Sequence, residues 1–579
     1  MTIPSKAWTG FKGYVADQYN CPPDHLAPPS VNSIITDVGV AQTRMGFELR
    51  WNITSSEAIR GFYFKRYNLT FYTAGTSVKY IDHNRSDTIV TVTGITLTAG
   101  TTTRFAEYAS DIYLINQTDG VYRIVVSAIA TANSAGANLV CDSDIGPRLS
   151  SFGLGSGNVV VNGTTEAYTV VTTGATTSLT CVSTQGYSVG AIVLRVDQRS
   201  SLPKGSMITF WKERMVIAGV KVANSSADQP TATLHFSKFT TAGALENIVD
   251  FTYGAGGSTV ELVGKSGTIT AILATEDYFY VFKEDETYVI GVADVDPSTG
   301  QSVPNLRSPI YGCSNPDCVA DTGNGEVVLI TPQRRLMRIK IATDSGAAVV
   351  FPDESFDVNI RSLVRYMDPD QTGAHVFYHK GKRRAYFTAK FDGQWMRLLF
   401  DNNISGWQPP QTGINMNQYL EINGIAYGLS RADGKVYQME STNNDNGAPI
   451  QSYIATGIFD IGQAFIDETH VKGSITQNTI IHVQTPVNGG TPADKQINGS
   501  SFSYDSGSPL GSFALGDSVL AGDELSSDTA EYDKLFDVYP SEANKVQLIM
   551  YTMSDSGFFT LREYQLIGTS QNVLAPSLS

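Results

Sequence analysis

Gly264-Lys265-Ser266 stands where a phosphate-binding loop would end, with the lysine and hydroxyl that such a loop aims at a nucleotide and its Mg²⁺. The earlier glycine that the motif requires falls on Thr259, and the flanking residues alternate as strands do, whereas a phosphate loop opens a helix. Gly153, Gly155 and Gly157 approach a dinucleotide fingerprint, but Asn158 occupies the third glycine's place, so this stretch reads as a flexible loop. His375 and His379 have the spacing of a helical zinc protease, yet Val376 follows the first histidine where glutamate is needed. On a strand, residues four apart lie about 13 Å from each other, too far to share one metal, so both read as ordinary, partly buried histidines. Asp368, Asp370 and Gly373 open like a calcium loop whose twelfth position is His379 rather than a bidentate glutamate. Cys21, Cys141, Cys181, Cys313 and Cys318 form an odd set. Cys313 and Cys318 flank SNPD at a spacing a metal knuckle could use, but no second pair completes a zinc site, and reduced, isolated thiols are expected.

Hydrolytic chemistry finds no better footing. Ser430 to Tyr437 (SRADGKVY) resembles the S-x-D-x-G-x-T-W turn of sialidases, but Asp433 comes one place late and the threonine is missing, so a plain hairpin is expected. No G-x-S-x-G elbow is present. The sequence therefore points to a protein that is not an enzyme, uses no cofactor and offers no assignable metal site, with a structural ion at the Asp368–Gly373 turn left open and an EF-hand ruled out. Two basic clusters remain: Arg334, Arg335, Arg338 and Lys340, and Lys380, Lys382, Arg383 and Arg384. Each lies at or beside a hairpin, where charge solvates a loop and guards a sheet edge. They are also the candidate subunit-interface residues, basic hairpins that meet an acidic neighbouring subunit.

The elements that would position such residues are strands. The 579 residues carry 41 basic and 56 acidic side chains, a net charge of −15, and charged residues make up only 17% of the chain. Gly, Ser, Thr and Asn supply the polarity, the composition of a turn-rich β protein with ample apolar content for large cores. An acidic balance spread along the chain excludes a sequence-reading nucleic-acid binder, which needs a concentrated basic face. No apolar run approaches the length of a membrane-spanning helix, and the start, MTIPSKAWTG, lacks a signal peptide's regions, so no membrane insertion is expected.

Residues 1–30 are proline-rich and aperiodic, an extended N-terminal arm that needs something to lie against. From 31 to 445 short alternating runs recur as pairs of strands. Examples are FAEYASDIYLINQTDGVYRIVV, ITFWKERMVIAGV, ITAILATEDYFYVFKEDETYVIGV, GEVVLITPQRRLMRIKI, HVFYHKGKRRAYFTAKFDGQWMRLLF and INGIAYGLSRADGKVYQME. Asp119-Gly120, Asn324-Gly325, Asp392-Gly393 and Asp433-Gly434 mark tight turns. About six such units without an intervening amphipathic helix predict an all-β protein, a six-bladed β-propeller over 31–140 and 201–445; a string of sandwiches is the rival. The Thr/Val/Gly-rich stretch 141–200 breaks the rhythm and reads as an inserted small β-barrel. Residues 446–579 hold longer alternating stretches around an acidic Gly/Ser-rich segment, Asn498 to Asp533. They are expected to form a C-terminal β-sandwich with a mobile loop.

Several of these phrases, in this order, resemble one family: DVGVAQTRMGF, FAEYASDIYLINQTDGVYRI, SLPKGSMITFWKERMVIAGV followed by LHFSK, ITAILATEDYFYVFKEDETYVI, and SPIYGCSNPDCVADTGNGEVVLIT. They are similar to successive blades of the β-propeller tail proteins of short-tailed bacteriophages, called nozzle, tail tubular protein B or tail hub, over about residues 36–440. The resemblance implies a structural virion protein of the viral tail, assembled in the host cytoplasm: a homo-hexameric ring below the portal and adaptor that extends the channel for genome ejection and retains packaged double-stranded DNA. It also implies tail fibres or other tail proteins as partners, and it brings no catalytic residue. A net-negative wall rich in Ser, Thr and Asn suits such a conduit, since screening over about 8 Å leaves short-range repulsion of phosphates intact. The competing expectation is a receptor- or glycan-binding tail propeller, possible seat of hydrolysis.

Overall fold

The computed structural model describes residues 8–570 apart from 23, 55–58, 86, 110, 131–137, 141–156, 171–177, 182–189, 221–231, 240–244, 253–256, 263, 265–266, 292–303, 309, 324, 345–346, 503–528, 539–541 and 554–556. The protein is all-β, and a β-propeller accounts for most of it. The expected alternation is realised as antiparallel hairpins. At Asp392-Gly393 both turn residues have positive φ, 47° and 77°, the backbone whose twist matches flanking strands.

Seven sheets built on a four-strand ladder follow one another among the described residues. They cover residues 60–92 (blade 1), 104–199 (blade 2), 207–261 (blade 3), 271–308 (blade 4), 319–353 (blade 5), 375–412 (blade 6), and 416–442 completed by 46–52 (blade 7). The first strand of each blade touches the first strand of the next, and that of blade 7, Met416–Ile422, touches that of blade 1, Arg60–Phe64, so the inner strands form a closed ring. Second strands are sandwiched between neighbouring blades. Asp111–Asn116, Arg214–Ala218 and Val327–Ile330 are accordingly buried along their whole length, which explains their continuous apolar runs. The ring is closed by a strand from the other end of the chain: Gly46–Asn52 pairs with Lys435–Thr442, with Trp51 opposite Val436 and Glu48 opposite Gln438.

The expected count of six is corrected to seven. The overlooked unit is blade 1, whose turns carry no Asp-Gly or Asn-Gly dipeptide. A short 3₁₀ turn, Lys65–Tyr67, capped by left-handed Asn68 links its first two strands, and Gly75 (φ 57°) turns the next pair. A second correction concerns the insertion at 141–200. Ile192–Arg199 pairs with Gly120–Ile129 and is the fourth strand of blade 2. Gly157–Val161 adds to the same sheet beside it, followed by Thr164–Val170, Ser178–Cys181 and Asn138–Val140, and no pairing closes these strands into a barrel among the described residues.

The N-terminal arm lies against the C-terminal unit, and the residues from 31 to 45, expected to open the propeller, are placed there too. Trp8–Thr9 pairs with Glu563–Ser570, and Ser33–Ile35 and Ala41–Thr43 form a small sheet with Thr560–Leu561. Both sheets belong to the C-terminal unit. Its long strand Phe459–Thr476 pairs with Thr529–Asp537, Glu542–Val546 and Glu563–Ser570. A further sheet joins Tyr453–Ala455, Ile549–Tyr551, Ile480–Gln484 and Lys495–Asn498. Most of the acidic segment between Asn498 and Asp533, residues 503–528, lies outside the described residues.

The C-terminal unit and the propeller share one apolar core. Phe11 and Tyr14 from the N-terminal segment, Phe356 and Trp407 from blades 5 and 6, and Val471 and Tyr564 from the C-terminal unit all belong to it. Trp407 packs its ring against Phe356, Phe387 and Phe400 and donates Nε1 to the Phe356 carbonyl at 2.9 Å. Gln408 brackets Ile35, accepting its N–H at 2.6 Å and donating to its carbonyl at 2.9 Å.

Candidate functional site

In an antiparallel blade the start of the first strand and the turn between the second and third strands lie on the same face. Those two kinds of position converge on the propeller axis in a cavity of about 850 Å³. Strand starts contribute Arg60, Arg104 and Asn417; the segments leading into blades 5 and 6 contribute Asp317 and Thr372; and the last hairpin contributes Arg431. The cavity adjoins a narrower one of about 240 Å³ where Phe62, Phe105, Ile208 and Leu273 face the axis. Phe62 and Phe105 stack there, with ring centres 6.1 Å apart.

Asp317 is the electrostatic centre. Arg60 reaches both its carboxylate oxygens, at 2.9 and 2.6 Å, and Arg104 Nη2 donates to Oδ2 at 2.9 Å. Burial alone would raise this carboxyl, but the guanidinium groups of Arg104 and Arg60 outweigh it and hold it well below the usual carboxylate range. The loop that presents it is rigid. Asp317 N–H donates to Asn315 Oδ1 at 2.9 Å, Asn315 Nδ2 donates to the carbonyls of Gln371 and Ala374, and Val376 N–H donates to the Asp317 carbonyl at 2.7 Å.

The SNPD segment between Cys313 and Cys318 is this loop. Both thiols are fully buried and free; Cys313 Sγ donates to the Asn315 carbonyl and Cys318 Sγ to that of Ala374. Burial pushes the Cys313 thiol up to about 12. Their work is to anchor the turn that carries Asp317.

Arg431 lies over the Trp395 ring, 3.6 Å from its centre, and donates Nη2 to the carbonyls of Gly373 and Met416, both at 2.9 Å. Burial lowers this guanidinium to about 10. Gly373 has φ 79°, and a Cβ there would lie 2.3 Å from Arg431 Nη1, so both backbone and space demand glycine. His375 and His379 sit on the strand His375–His379, 3% and 1% exposed, as the alternating pattern around them predicts. Burial, reinforced by Arg431, pushes His375 down to about 3, so it is neutral. The Ser430 to Tyr437 segment is a hairpin, and Arg431 is the residue it delivers to the axis.

The basic clusters lie on opposite faces, because Arg334 occupies a turn between second and third strands and Lys380–Arg383 one between first and second strands. Most of this charge is engaged within the chain. Arg335 grips buried Asp357 at 2.7 Å, Arg338 pairs with Asp353 at 2.9 Å, Lys340 with Asp353 at 3.8 Å, and Arg334 donates to the Arg365 carbonyl. Lys382 (2.7 Å) and Arg384 (3.5 Å) converge on Glu440 of blade 7, and Arg384 also binds Asp401 at 2.7 Å. Among the described residues Lys380 and Arg383 have no ion pair.

Neither Glu440 nor the Arg60–Asp317–Arg104 group was singled out from sequence. The available signal was an arginine opening an inner strand twice, in RGFYF and RFAEY. Gly264 lies beside Glu286 and Tyr288, while Lys265 and Ser266 fall outside the described residues. Among the described residues no three of His, Cys, Asp and Glu are grouped as metal ligands, and no helix is long and apolar enough to cross a membrane.

No family model and no curated protein matches the chain. Among solved structures, the β-propeller domain of Myceliophteria thermophila Cps50 (Swd1) aligns at 9% identity over 68% of this chain and 99% of its own, with a TM-score of 0.32. The Dos1 propeller aligns at 8% identity over 76% and 95%, with a TM-score of 0.33. An exo-β-1,3-galactanase from Phanerochaete chrysosporium aligns at 9% over 82% and 98%, with a TM-score of 0.25. Such distant likenesses say nothing of activity; the propeller here follows from the pairing of its own strands.

Proposed function

We propose that this chain is a structural virion protein, the subunit of a ring-shaped tail nozzle or hub of a short-tailed bacteriophage, set below the portal and adaptor as a conduit for genome ejection. The observation that carries the reading is the ordered series of family-like phrases. FAEYASDIYLINQTDGVYRI lies on blade 2, SLPKGSMITFWKERMVIAGV on blade 3, ITAILATEDYFYVFKEDETYVI on blade 4, and SPIYGCSNPDCVADTGNGEVVLIT leads into blade 5. Two physical features support it. The propeller axis is not the conduit, because Arg60 of blade 1 and Arg104 of blade 2 bond Asp317 ahead of blade 5 at 2.6–2.9 Å and so bridge the ring where a duplex would have to pass. A DNA channel therefore lies between subunits, where chains of net charge −15 do not grip phosphates. The propeller and C-terminal unit, joined by one core, give each subunit the rigidity that a closed ring needs.

The test is imaging and light scattering of the purified full-length chain and of particles that contain it. A sixfold ring on the particle axis, of six times the 62.5 kDa chain, is expected. Monomers, or subunits on peripheral fibres, would overturn the conduit and favour a receptor-binding propeller.

A further inference from the structure

The cavity on the propeller axis has a chemistry that the conduit does not use. Arg60, Arg104 and Arg431 stand against the lone carboxylate of Asp317, so its lining carries a net charge of 3 − 1 = +2 inside a chain of −15. Three cations converge here from blades far apart in sequence: Arg60 and Asp317 are 257 residues apart, and Arg104 and Asp317 are 213. Such convergence is costly to arrange, because each guanidinium loses water; burial lowers both Arg104 and Arg431. One carboxylate does not neutralise them. A guanidinium has five N–H donors, whereas Arg104 directs one N–H of one Nη at Asp317 and one of the other at the Ser206 carbonyl, which leaves a second N–H on each Nη. Arg431 spends Nη2 on the Gly373 and Met416 carbonyls, and its Nη1 has no hydrogen-bond partner among the described residues.

The rest of the lining is polar. Thr102 and Thr372 border the cavity, the hydroxyls of Thr73 and Thr101 are held by the Arg60 backbone and the Thr98 carbonyl, the amides of Asn417 and Gln117 donate to the Ile59 and Gly219 carbonyls and keep their oxygens, and Pro316 is the lone apolar side chain bordering the cavity among the described residues. Ordinary small-molecule pockets are mostly apolar. A lining of hydroxyls and amides around a cationic centre matches a ligand that carries hydroxyls around one anionic group. Arg60 and Arg104 remain 17% and 18% exposed, so the cationic centre opens into the cavity.

We propose that this cavity is a binding site for a small oxyanion carried on a polyol, a carboxylate- or phosphate-bearing sugar unit, with Arg104 and Arg431 facing the anion and Thr102, Thr372 and the amide oxygens of Asn417 and Gln117 facing the ligand's hydroxyls. Asp317 holds Arg60 and Arg104 in place, so the cluster is pre-organised before the ligand arrives. The inference rests on the cavity alone and does not depend on ring assembly.

The test is isothermal titration calorimetry of the full-length chain at low ionic strength with four probes: glucuronate, glycerol 3-phosphate, inorganic phosphate and glucose. Saturable binding of glucuronate or glycerol 3-phosphate, with none of glucose, is expected; which of the two binds identifies a carboxylate or a phosphate source. Arg104→Gln leaves Asp317 its two bonds from Arg60 and should weaken binding by at least about tenfold, the worth of one charged hydrogen bond. Thr102→Trp takes up cavity space while all three arginines are retained and should abolish binding, so the proposal stays testable if Arg104→Gln fails to fold. No saturable binding of any anion up to about 10 mM, equal binding of glucose, binding of inorganic phosphate alone, or unchanged affinity in Thr102→Trp would overturn it.

Discussion

Replacing Glu440 should destabilise the propeller far more than replacing Lys382, the exposed lysine that binds it. Glu440 is only 11% exposed, sits at φ 54° on a bulged strand of blade 7, and receives Lys382 Nζ and the Tyr386 hydroxyl, each at 2.7 Å, with Arg384 at 3.5 Å and Arg397 at 4.0 Å. Burial would raise this carboxyl, but Lys382, Arg397 and Arg384 together hold it far below its ordinary value. Removing one member of a buried ionic group costs about 3–5 kcal/mol when the partner charge is left unpaired. Here Arg384 keeps Asp401 and Arg397 keeps Gln411, which leaves the Tyr386 hydroxyl as the group stranded outright. The cost of Glu440→Ala should therefore fall at about 2–4 kcal/mol. Lys382→Ala, with its ammonium 42% exposed, should cost no more than about 0.5 kcal/mol.

The assay is the denaturant midpoint of near-ultraviolet circular dichroism, paired with hydrogen exchange of 46–52 and 435–442, since a protein this size need not unfold in one step. Exchange should rise first in those closing strands. The pH dependence has a definite sign. A carboxyl whose folded-state value is depressed contributes fully above its unfolded value, here 4.5, and loses that contribution as pH falls through the folded value. The gap between wild type and Glu440→Gln should thus be full at pH 7 and shrink below pH 4.5. Equal midpoints for Glu440→Ala and Lys382→Ala, or a gap that widens in acid, would refute the account.

Replacing 141–189 by a Gly/Ser linker should leave a soluble protein, whereas extending the deletion to 200 removes Ile192–Arg199 and exposes the edge of Gly120–Ile129; size-exclusion chromatography of the two deletions separates these outcomes. Lys380→Glu with Arg383→Glu should leave the thermal midpoint within about 1 °C, while Arg384→Glu sets a third carboxylate beside Asp401 and Glu440 and should lower it by several degrees. If the double variant also blocks ring assembly while the fold persists, those two residues are the interface; normal assembly marks them as solvated. Truncation after residue 445 should yield an aggregating protein, because Ile35 and Ala41 lose Thr560–Leu561 and the shared core is laid open; a monodisperse, folded fragment would show that the propeller stands alone.

Local pattern carried the strands, and distance hid the rest. Hairpins turned by Asp-Gly were legible because positive φ, at both residues of Asp392-Gly393 and at Gly120 and Gly434, is a local demand with few residue solutions. Blade 1 escaped because Lys65–Tyr67 and Asn68 make the same reversal with ordinary residues. Ile192–Arg199 reads as a strand by composition, but nothing in its periodicity says that it returns to Gly120–Ile129 across some sixty intervening positions. The closing strand GFELRWN likewise gives no hint of its partner near residue 438. Arg60, Arg104, Asp317 and Arg431 have no motif spacing at all, since the ring, not the chain, makes them neighbours. The basic hairpins were legible as charge, but their meaning depended on Asp353 and Asp357 for the first cluster and on Glu440, in a neighbouring blade, for the second.

The chain's two ends explain why the propeller and the C-terminal unit behave as one body. Residues 8–45 are woven through the C-terminal unit: Trp8 stacks on Tyr564 at 5.0 Å, Ala27 N–H donates to the Ala455 carbonyl, and Ser33–Ile35 lies in its small sheet. The very next strand, Gly46–Asn52, is the one that closes the ring. Arg44, 2% exposed at this passage, donates to Asn32 Oδ1, to the Thr412 carbonyl of blade 6 and to both carboxylate oxygens of Asp445, so one guanidinium ties the N-terminal segment, a blade and the exit from blade 7. Opening the C-terminal unit therefore loosens the anchor of the closing strand, and opening the ring pulls on the C-terminal sheets. Such coupling raises the free energy needed to open either unit, because the shared core and the closing strand are disturbed whichever of the two opens first.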